Sequence, residues 1–534
     1  MERKILPLET HPKGESSQIV VGASARWPVD TPGGRFYAEW DSQAPVTREG
    51  QLMFFFQFLK AGARWESFLA DCPLDYVGNR GSGKGNVMGT ALLSILCGHW
   101  RYAHINSVRG DTVNAALLGM DRIVSEDVVR GALKRMDEAA SLRWVQGHLL
   151  DSISPALFLP WILDLDTTVK CLYGHQQGAQ AGYNPRKPGR PCHVYHSYFV
   201  ANLRLSLGVE VLPGKEHAAP HGMPGLWEML GRLPRERWPT FARGDCGYGS
   251  EKIMLEFEQR GLPYLFKLRH TTKIKDLVRE HLRHSGGWQA CADGWEAAEA
   301  TVRLGGWTKA RRVVLVREAP AIAPVGEKAR RRRDPFAPEL RGAQGRRLEE
   351  EAQGPAPWSG RIAVLITSLD ARDYPTTAMP KQYRDRGDAE NTYDELKNQW
   401  GWSGYSTQKL GPSRIMAGLI ALFYNWWNLY ARFFDEDHHR EAITSRPALM
   451  QGVGRQVQSS GQRTVKVSLL HENRRQIQER VTLTSKQLQQ MTAITERWSE
   501  RQKWSLLLTR LLRRWLGGKW LPDLPPEAVR LLSG

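Results

Sequence analysis

Tyr383, Arg386, Glu390 and Lys397 bring a phenol, two cations and a carboxylate into one short stretch, YRDRGDAENTYDELK. At about 100° per residue their offsets of 0, 3, 7 and 14 place all four within roughly 60° of one another on a helix. Such a face is poorly suited to a core. It suits phosphates and a metal ion, since cations pair with phosphate oxygens and a carboxylate offers a hard donor. Asp394 falls about 20° from Tyr383 and is a spare carboxylate on that face. Glu395 points away and is a weaker candidate.

Two upstream stretches carry further carboxylates. In WILDLDTTVK, residues 161–170, Leu163 and Leu165 alternate with Asp164 and Asp166, so a strand would bury the leucines and present both aspartates on its other face. Strand parity alone does not choose between Asp164 and Asp166. Asp245 follows a short apolar run and precedes Gly247 and Gly249, where a strand over 240–245 gives way to a helix over 251–260 capped by Ser250. The end of a strand before a helix is where α/β sheets place ligand groups.

Further strands are expected over 194–203, 205–212 and 263–269, with a short helix within 216–234. The helix of Tyr383 follows a strand over 362–367, but 145 residues separate Asp245 from Glu390, too many for a plain connection. An insertion is expected there, with strand-like pieces at 300–304 and 312–317 and a basic run at Lys328 and Arg330 to Arg333. Residues 1–50 read as an extended arm with one hairpin. Helices over 52–69, 87–96, 112–118 and 126–136 follow, with Ser125 capping the last, and Arg101, Arg109, Arg122, Arg130, Lys134 and Arg135 could face a duplex. The apolar run over 412–434 should pack under the sheet, and the last hundred residues alternate helices with basic side chains.

At 534 residues the chain is expected to hold two to four domains. Lysine and arginine number 74 against 56 acidic residues, a net charge of +18 that draws polyanions, nucleic acid first. The twenty tryptophans read mainly as core and helix-packing groups. The six cysteines lie far apart without a C-x2-C pair, which supports neither a disulfide framework nor a cysteine zinc site and points to a reducing cytosol. The polar N-terminus reads as no signal peptide. The run over 415–430 is short of the roughly 20 residues a membrane span needs. GNRGSGKG, residues 78–85, has the outline of a phosphate loop. Gly85 stands where a magnesium-binding Ser or Thr belongs and no hydrophobic strand precedes it, so it reads as a basic turn.

The spacing Tyr-x2-Arg-x3-Glu-x6-Lys resembles the third motif (YREK) of bacterial insertion-sequence transposases of the DDE class. Asp166-Thr167-Thr168 is similar to the first aspartate motif of that group, which favours Asp166, and Asp245 stands in order between the two. The resemblance covers roughly 161–430. It implies an α/β fold with an RNase H-like catalytic core, a mixed five-stranded sheet with helices, interrupted by a β-rich insertion. The expected divisions are an N-terminal arm and helical DNA-binding domain over 1–150, core over 151–270, insertion over 271–360, core over 361–435, and a helical DNA-binding or dimerisation region over 436–534.

It implies catalytic, metal-binding roles for Asp166, Asp245 and Glu390, with two Mg2+ ions (or Mn2+) activating a nucleophilic oxygen and stabilising the leaving one. It implies that Tyr383, Arg386 and Lys397 hold DNA phosphates. The expected partners are double-stranded DNA, as terminal inverted repeats and target, and a second copy of the chain; no membrane is expected. The expected activity is cut-and-paste transposition in a bacterial, nucleoid-associated cytoplasmic setting. A flipped base, if one forms, could meet Trp307 or Trp358. Two other classes share these residues: an RNase H-like nuclease without strand transfer, separated by a strand-transfer assay, and an inactive transposase-derived DNA-binding protein, excluded by metal-dependent cleavage.

Overall fold

The alternation at 162–166 sets the register of the central strand. Leu163 and Leu165 are fully buried, and the strand runs on through Lys170 to Cys171. The computed structural model describes residues 26–41, 43–75, 82–185, 187–284, 287–319, 362–436, 438–526 and 528. Residues 78–81 of the glycine-rich turn, Arg330 to Arg333 and Trp358 lie outside them.

The first part of the chain forms a hairpin, β1 (Trp27–Thr31) and β2 (Gly34–Ala38), then β3 (Val46–Thr47) and the helices α1 (Leu52–Ala61), α2 (Arg64–Ala70), α3 (Lys84–Leu96), α4 (Thr112–Leu117), α5 (Glu126–Arg135) and α6 (Glu138–Asp151). The single helix expected over 52–69 is broken. Ala63 adopts a left-handed φ of 52°, and Gly62 lies so close to Trp504 that a Cβ there would meet its ring at 2.6 Å. Ser125 caps α5 as expected, accepting from the Val128 amide.

The sheet begins with β4 (Ile162–Cys171), the short β5 (Gln180–Ala181), β6 (Pro191–Val200) and β7 (Leu205–Pro213). It continues after α7 (Met223–Gly231) with β8 (Phe241–Gly244), α8 (Glu251–Gln259) and β9 (Tyr264–Lys267). The lateral order is β7-β6-β4-β8-β9, with β6 antiparallel to β4 and β7, and β8 and β9 parallel to β4. Ser250 makes no side-chain cap on α8.

Residues 272–318 fold as α9 (Thr272–Arg283), β10 (Gln289–Ala290), β11 (Trp295–Val302) and β12 (Arg311–Glu318). These strands extend the same sheet: β13 (Ile362–Thr367) pairs antiparallel with β9 on one side and β12 on the other, and β11 and β10 follow outward. The sheet is therefore mixed and wider than five strands. Trp307 is buried there, with Arg311 5.3 Å from its ring centre.

Next come α10 (Met379–Arg384), α11 (Gly387–Asn398), α12 (Leu410–Ala431) and α13 (Ala442–Leu449). Every residue of α12 but Arg414 is buried. It covers the open edge of β7, where Asn425 exchanges hydrogen bonds with both backbone groups of Ser206 (2.8 and 2.7 Å) and Arg414 Nε donates to the Val211 carbonyl (2.8 Å). An edge strand so covered cannot pair with another chain. The other faces of α12 meet the N-terminal helices through Phe55 on Trp427 and Tyr430, and Phe68 on Phe423 and Trp426. Trp161, Trp400, Trp402, Trp426, Trp427 and Trp504 are all fully buried, so these tryptophans are framework.

The last part is not purely helical. A polar hairpin, β14 (Val453–Ser459) and β15 (Gln462–Ser468), pairs with β3 before α14 (Arg474–Ile494) and α15 (Glu500–Leu511). No helix among the described residues is long and apolar enough to cross a membrane.

Candidate active site

The two aspartates of β4 have different surroundings. Asp164 is 1% exposed, and its oxygens accept from Arg243 Nε (2.6 Å) and Nη2 (2.7 Å) on the neighbouring β8. Arg243, itself buried, also donates to the Gln382 carbonyl, which ties β8 to α10. Asp164 is thus half of a closed ion pair. Asp166, one pleat further on, is half-buried and faces Ser197 across β6.

Asp245 leaves the end of β8 and its Oδ1 accepts from the Gly247 amide at 2.8 Å. Tyr248, in the same turn, is buried and its hydroxyl lies 3.4 Å from Thr167 Oγ1; Thr167 in turn meets His196 Nδ1 at 3.2 Å. This chain fixes the Asp245 turn against β4.

The helix expected over 383–397 is interrupted. Between α10 and α11 lies a turn at Asp385 and Arg386, so the four offsets do not share one continuous face. Tyr383 is 1% exposed and packs in an apolar cluster with Phe241, Leu265 and Trp295; its hydroxyl lies 3.5 Å from the Gly244 carbonyl. Burial takes the phenol off any exposed phosphate-binding face. It abuts the residue before Asp245 instead.

Arg386, in that turn, points inward. Its side chain is 5% exposed, with Nη2 3.2 Å from Asp166 Oδ1 and Nη1 3.6 Å from Glu390 Oε1. Asp245 is close enough to act on the same charge. Three carboxylates from the middle of β4, the end of β8 and the first turn of α11 therefore converge around one guanidinium. Burial pushes the Asp166 carboxyl up to about 6; Arg386 opposes this, while Asp245 and Glu390 add to it. Burial works against the Arg386 charge, but the carboxylates outweigh it and hold the group protonated.

Lys397 is half-buried, seven residues and roughly 10 Å of helix beyond Glu390. Asp394 accepts from Asn398 on its own helix at 3.0 Å. Glu395 is buried and structural: it accepts from Trp400 Nε1 (3.0 Å) and the Ala442 amide (2.9 Å) and pairs with His439 (2.7 Å). Sequence reasoning did not single out Arg243, Tyr248 or Tyr393, whose hydroxyl donates to Ser197 Oγ at 2.9 Å beside Asp166. Only Arg243 left a trace, as a cation ending a short apolar strand.

A family model described as Transposase DDE domain matches residues 158–426, half of the chain. The chain belongs to this family of DDE transposases. The matched stretch includes Asp166, Asp245, Arg386 and Glu390. Among solved structures, the transposase is similar to a piggyBac transposase synaptic complex with hairpin DNA, at 12% identity and a TM-score of 0.34 over 92% of this chain and 87% of that one. No curated protein matches it.

The three carboxylates offer hard oxygens, which would suit Mg2+ or Mn2+ rather than a thiophilic ion. Among the described residues no three His, Cys, Asp or Glu side chains stand close enough to one another to form a ready ion cage. Arg386 supplies the positive charge between them, and its Nε is buried without a hydrogen-bond partner.

Proposed function

We propose that this transposase cuts DNA at the terminal inverted repeats of an insertion sequence and joins the freed ends to a target, with Asp166, Asp245 and Glu390 as its catalytic carboxylates. The observation that carries this is their convergence on Arg386 from β4, β8 and α11. Carboxylates this close raise one another's pKa and favour a cation among them, the place Arg386 now fills. The strand order β7-β6-β4-β8-β9, with only β6 reversed between β7 and β4, supports an RNase H-like core, and the strands of 289–318 are its β-rich insertion. On this reading residues 1–150 and 436–534 supply DNA contacts and the surface for a second copy of the chain.

Asp166, Asp245 and Glu390 would hold two divalent ions, which supply a more acidic oxygen nucleophile and charge on the leaving oxygen. The protein's own residues do the positioning. Arg243 locks Asp164 and so fixes the pleat of β4. Tyr248 and Thr167 hold the Asp245 turn, and Tyr383 packs beneath it. Arg386 neutralises the carboxylates until DNA and ions arrive, and it and Lys397 are the cations for DNA phosphates. Asp164 and Glu395 belong to the framework.

The test is magnesium-dependent cleavage and joining of DNA carrying the element's terminal repeats, wild type against Glu390→Gln. Wild type cuts and joins, whereas Glu390→Gln binds the same DNA and does neither. Cleavage without joining would leave a nuclease. Full activity in Glu390→Gln would remove α11 from the site.

A further inference from the structure

Residues 453–468 form a ribbon that the catalytic reading does not use. β14 and β15 pair along their whole length, from Val453 opposite Ser468 to Ser459 opposite Gln462. Ser460 and Gly461 join them at φ values of 48° and 78°, the two positive angles of a turn whose twist matches a two-stranded ribbon. The ribbon's base is clamped: β3 pairs with Gly454 and Arg455, and a Cβ on Gly50 would meet the Gly452 carbonyl at 2.8 Å. Beyond Arg455 neither strand has another sheet partner among the described residues. The ribbon stands out from its base.

A two-stranded hairpin is marginal in water and contributes little to a fold by itself. Its composition points elsewhere. Residues 453–468 contain Arg455, Arg463 and Lys466 and no Asp or Glu. Arg455 sits directly opposite Lys466, so two cations share one face, an arrangement that costs stability unless a polyanion covers it. Asp41 lies 3.8 Å from Arg455 with both groups well exposed, a pair of little worth. The same face carries Gln462 and Thr464, both exposed, while the opposite face has half-buried Gln456, Val465 and Val467.

The B-DNA major groove, about 12 Å wide, admits a two-stranded ribbon. Arg and Lys pair with guanine O6 and N7, Gln with adenine N6 and N7, and a Thr methyl with that of thymine. We propose that the ribbon of β14 and β15 enters the major groove of duplex DNA and sets the transposase's choice of sequence through Arg455, Gln462, Thr464 and Lys466. This rests on the reading of the chain as an enzyme of DNA, and it names the element that selects the DNA.

The test uses the full chain and a pool of duplexes with a randomised central window. Wild type enriches a motif. The variant Arg455→Ala/Gln462→Ala/Lys466→Ala still binds duplex but loses discrimination, about 10-fold for each lost contact. A second variant on the opposite face, Gln458→Ala/Arg463→Ala, keeps the motif and controls for damage to the hairpin. The proposal is overturned if the triple variant enriches the wild-type motif, or if wild type binds duplex and enriches none. If wild type binds no duplex at all, the DNA-directed function itself fails with it.

Discussion

Exchanging Asp164 and Asp166 separately for Asn separates framework from chemistry. Asp164→Asn leaves Arg243, 2% exposed, without the carboxylate whose two oxygens it holds at 2.6 and 2.7 Å. Breaking a buried ion pair from one side costs about 3–5 kcal/mol. If the matched stretch, 158–426, unfolds as a unit, its unfolding entropy at ~2.1 cal/mol/K per residue is about 0.6 kcal/mol/K, so Tm falls by roughly 5–8 °C. Asp166→Asn instead removes one of three crowded carboxylates. Asp245 and Glu390 still face Arg386, so the variant's Tm falls by less than that of Asp164→Asn, and cleavage is lost. Thermal denaturation followed by circular dichroism, beside the cleavage assay, reads both. Wild-type Tm in Asp164→Asn with cleavage abolished would refute the assignment and make Asp164 the catalytic partner.

Three more outcomes are expected. Glu395→Ala removes the acceptor shared by Trp400, the Ala442 amide and His439, and lowers Tm by an amount comparable to Asp164→Asn, whereas an exposed surface carboxylate would leave it unchanged. Burial raises the Glu210 carboxyl to about 7 from its ordinary 4.5; Tyr198 and Arg414 oppose the shift and Glu228 adds to it. The folded state then keeps a proton that the unfolded chain releases, so this stability is present below about pH 4.5 and lost as pH rises through about 7. Glu210→Gln should flatten Tm against pH across that window, and an unchanged slope would show the group does not titrate there. Arg386→Gln leaves Asp166, Asp245 and Glu390 without their cation, so added Mg2+ or Mn2+ should raise its Tm more than that of wild type; equal shifts would mean the ions bind elsewhere.

The sequence made the sheet legible where one physical pattern dominated. Leu163 and Leu165 fixed the face of β4, and the five apolar residues of β13 and the long apolar run of α12 had no other stable place. The aspartates were ambiguous for a stated reason: they share a face, and the residue that tells them apart, Arg243, is 79 positions from Asp164. The burial of Tyr383 was not legible because rotation at about 100° per residue orders side chains around an axis and does not say which side of it meets the apolar cluster. The ribbon was missed because both of its faces are largely polar, although Ser460-Gly461 is a turn dipeptide that could have marked it.

The segment from Tyr383 to Arg386 joins the apolar layer to the carboxylates. Tyr383 and Arg386, three residues apart across the turn, reach different layers of the molecule. Tyr383 enters the apolar cluster beneath Gly244, while Arg386 meets Asp166 and Glu390. The apolar contact sets the depth at which α10 docks, and Arg243 reinforces it by donating to the Gln382 carbonyl one residue before Tyr383. The ion pair of β4 and β8 and the guanidinium among the carboxylates are therefore one mechanical unit: the pair that neutralises Asp164 also holds the segment that delivers Arg386 to Asp166.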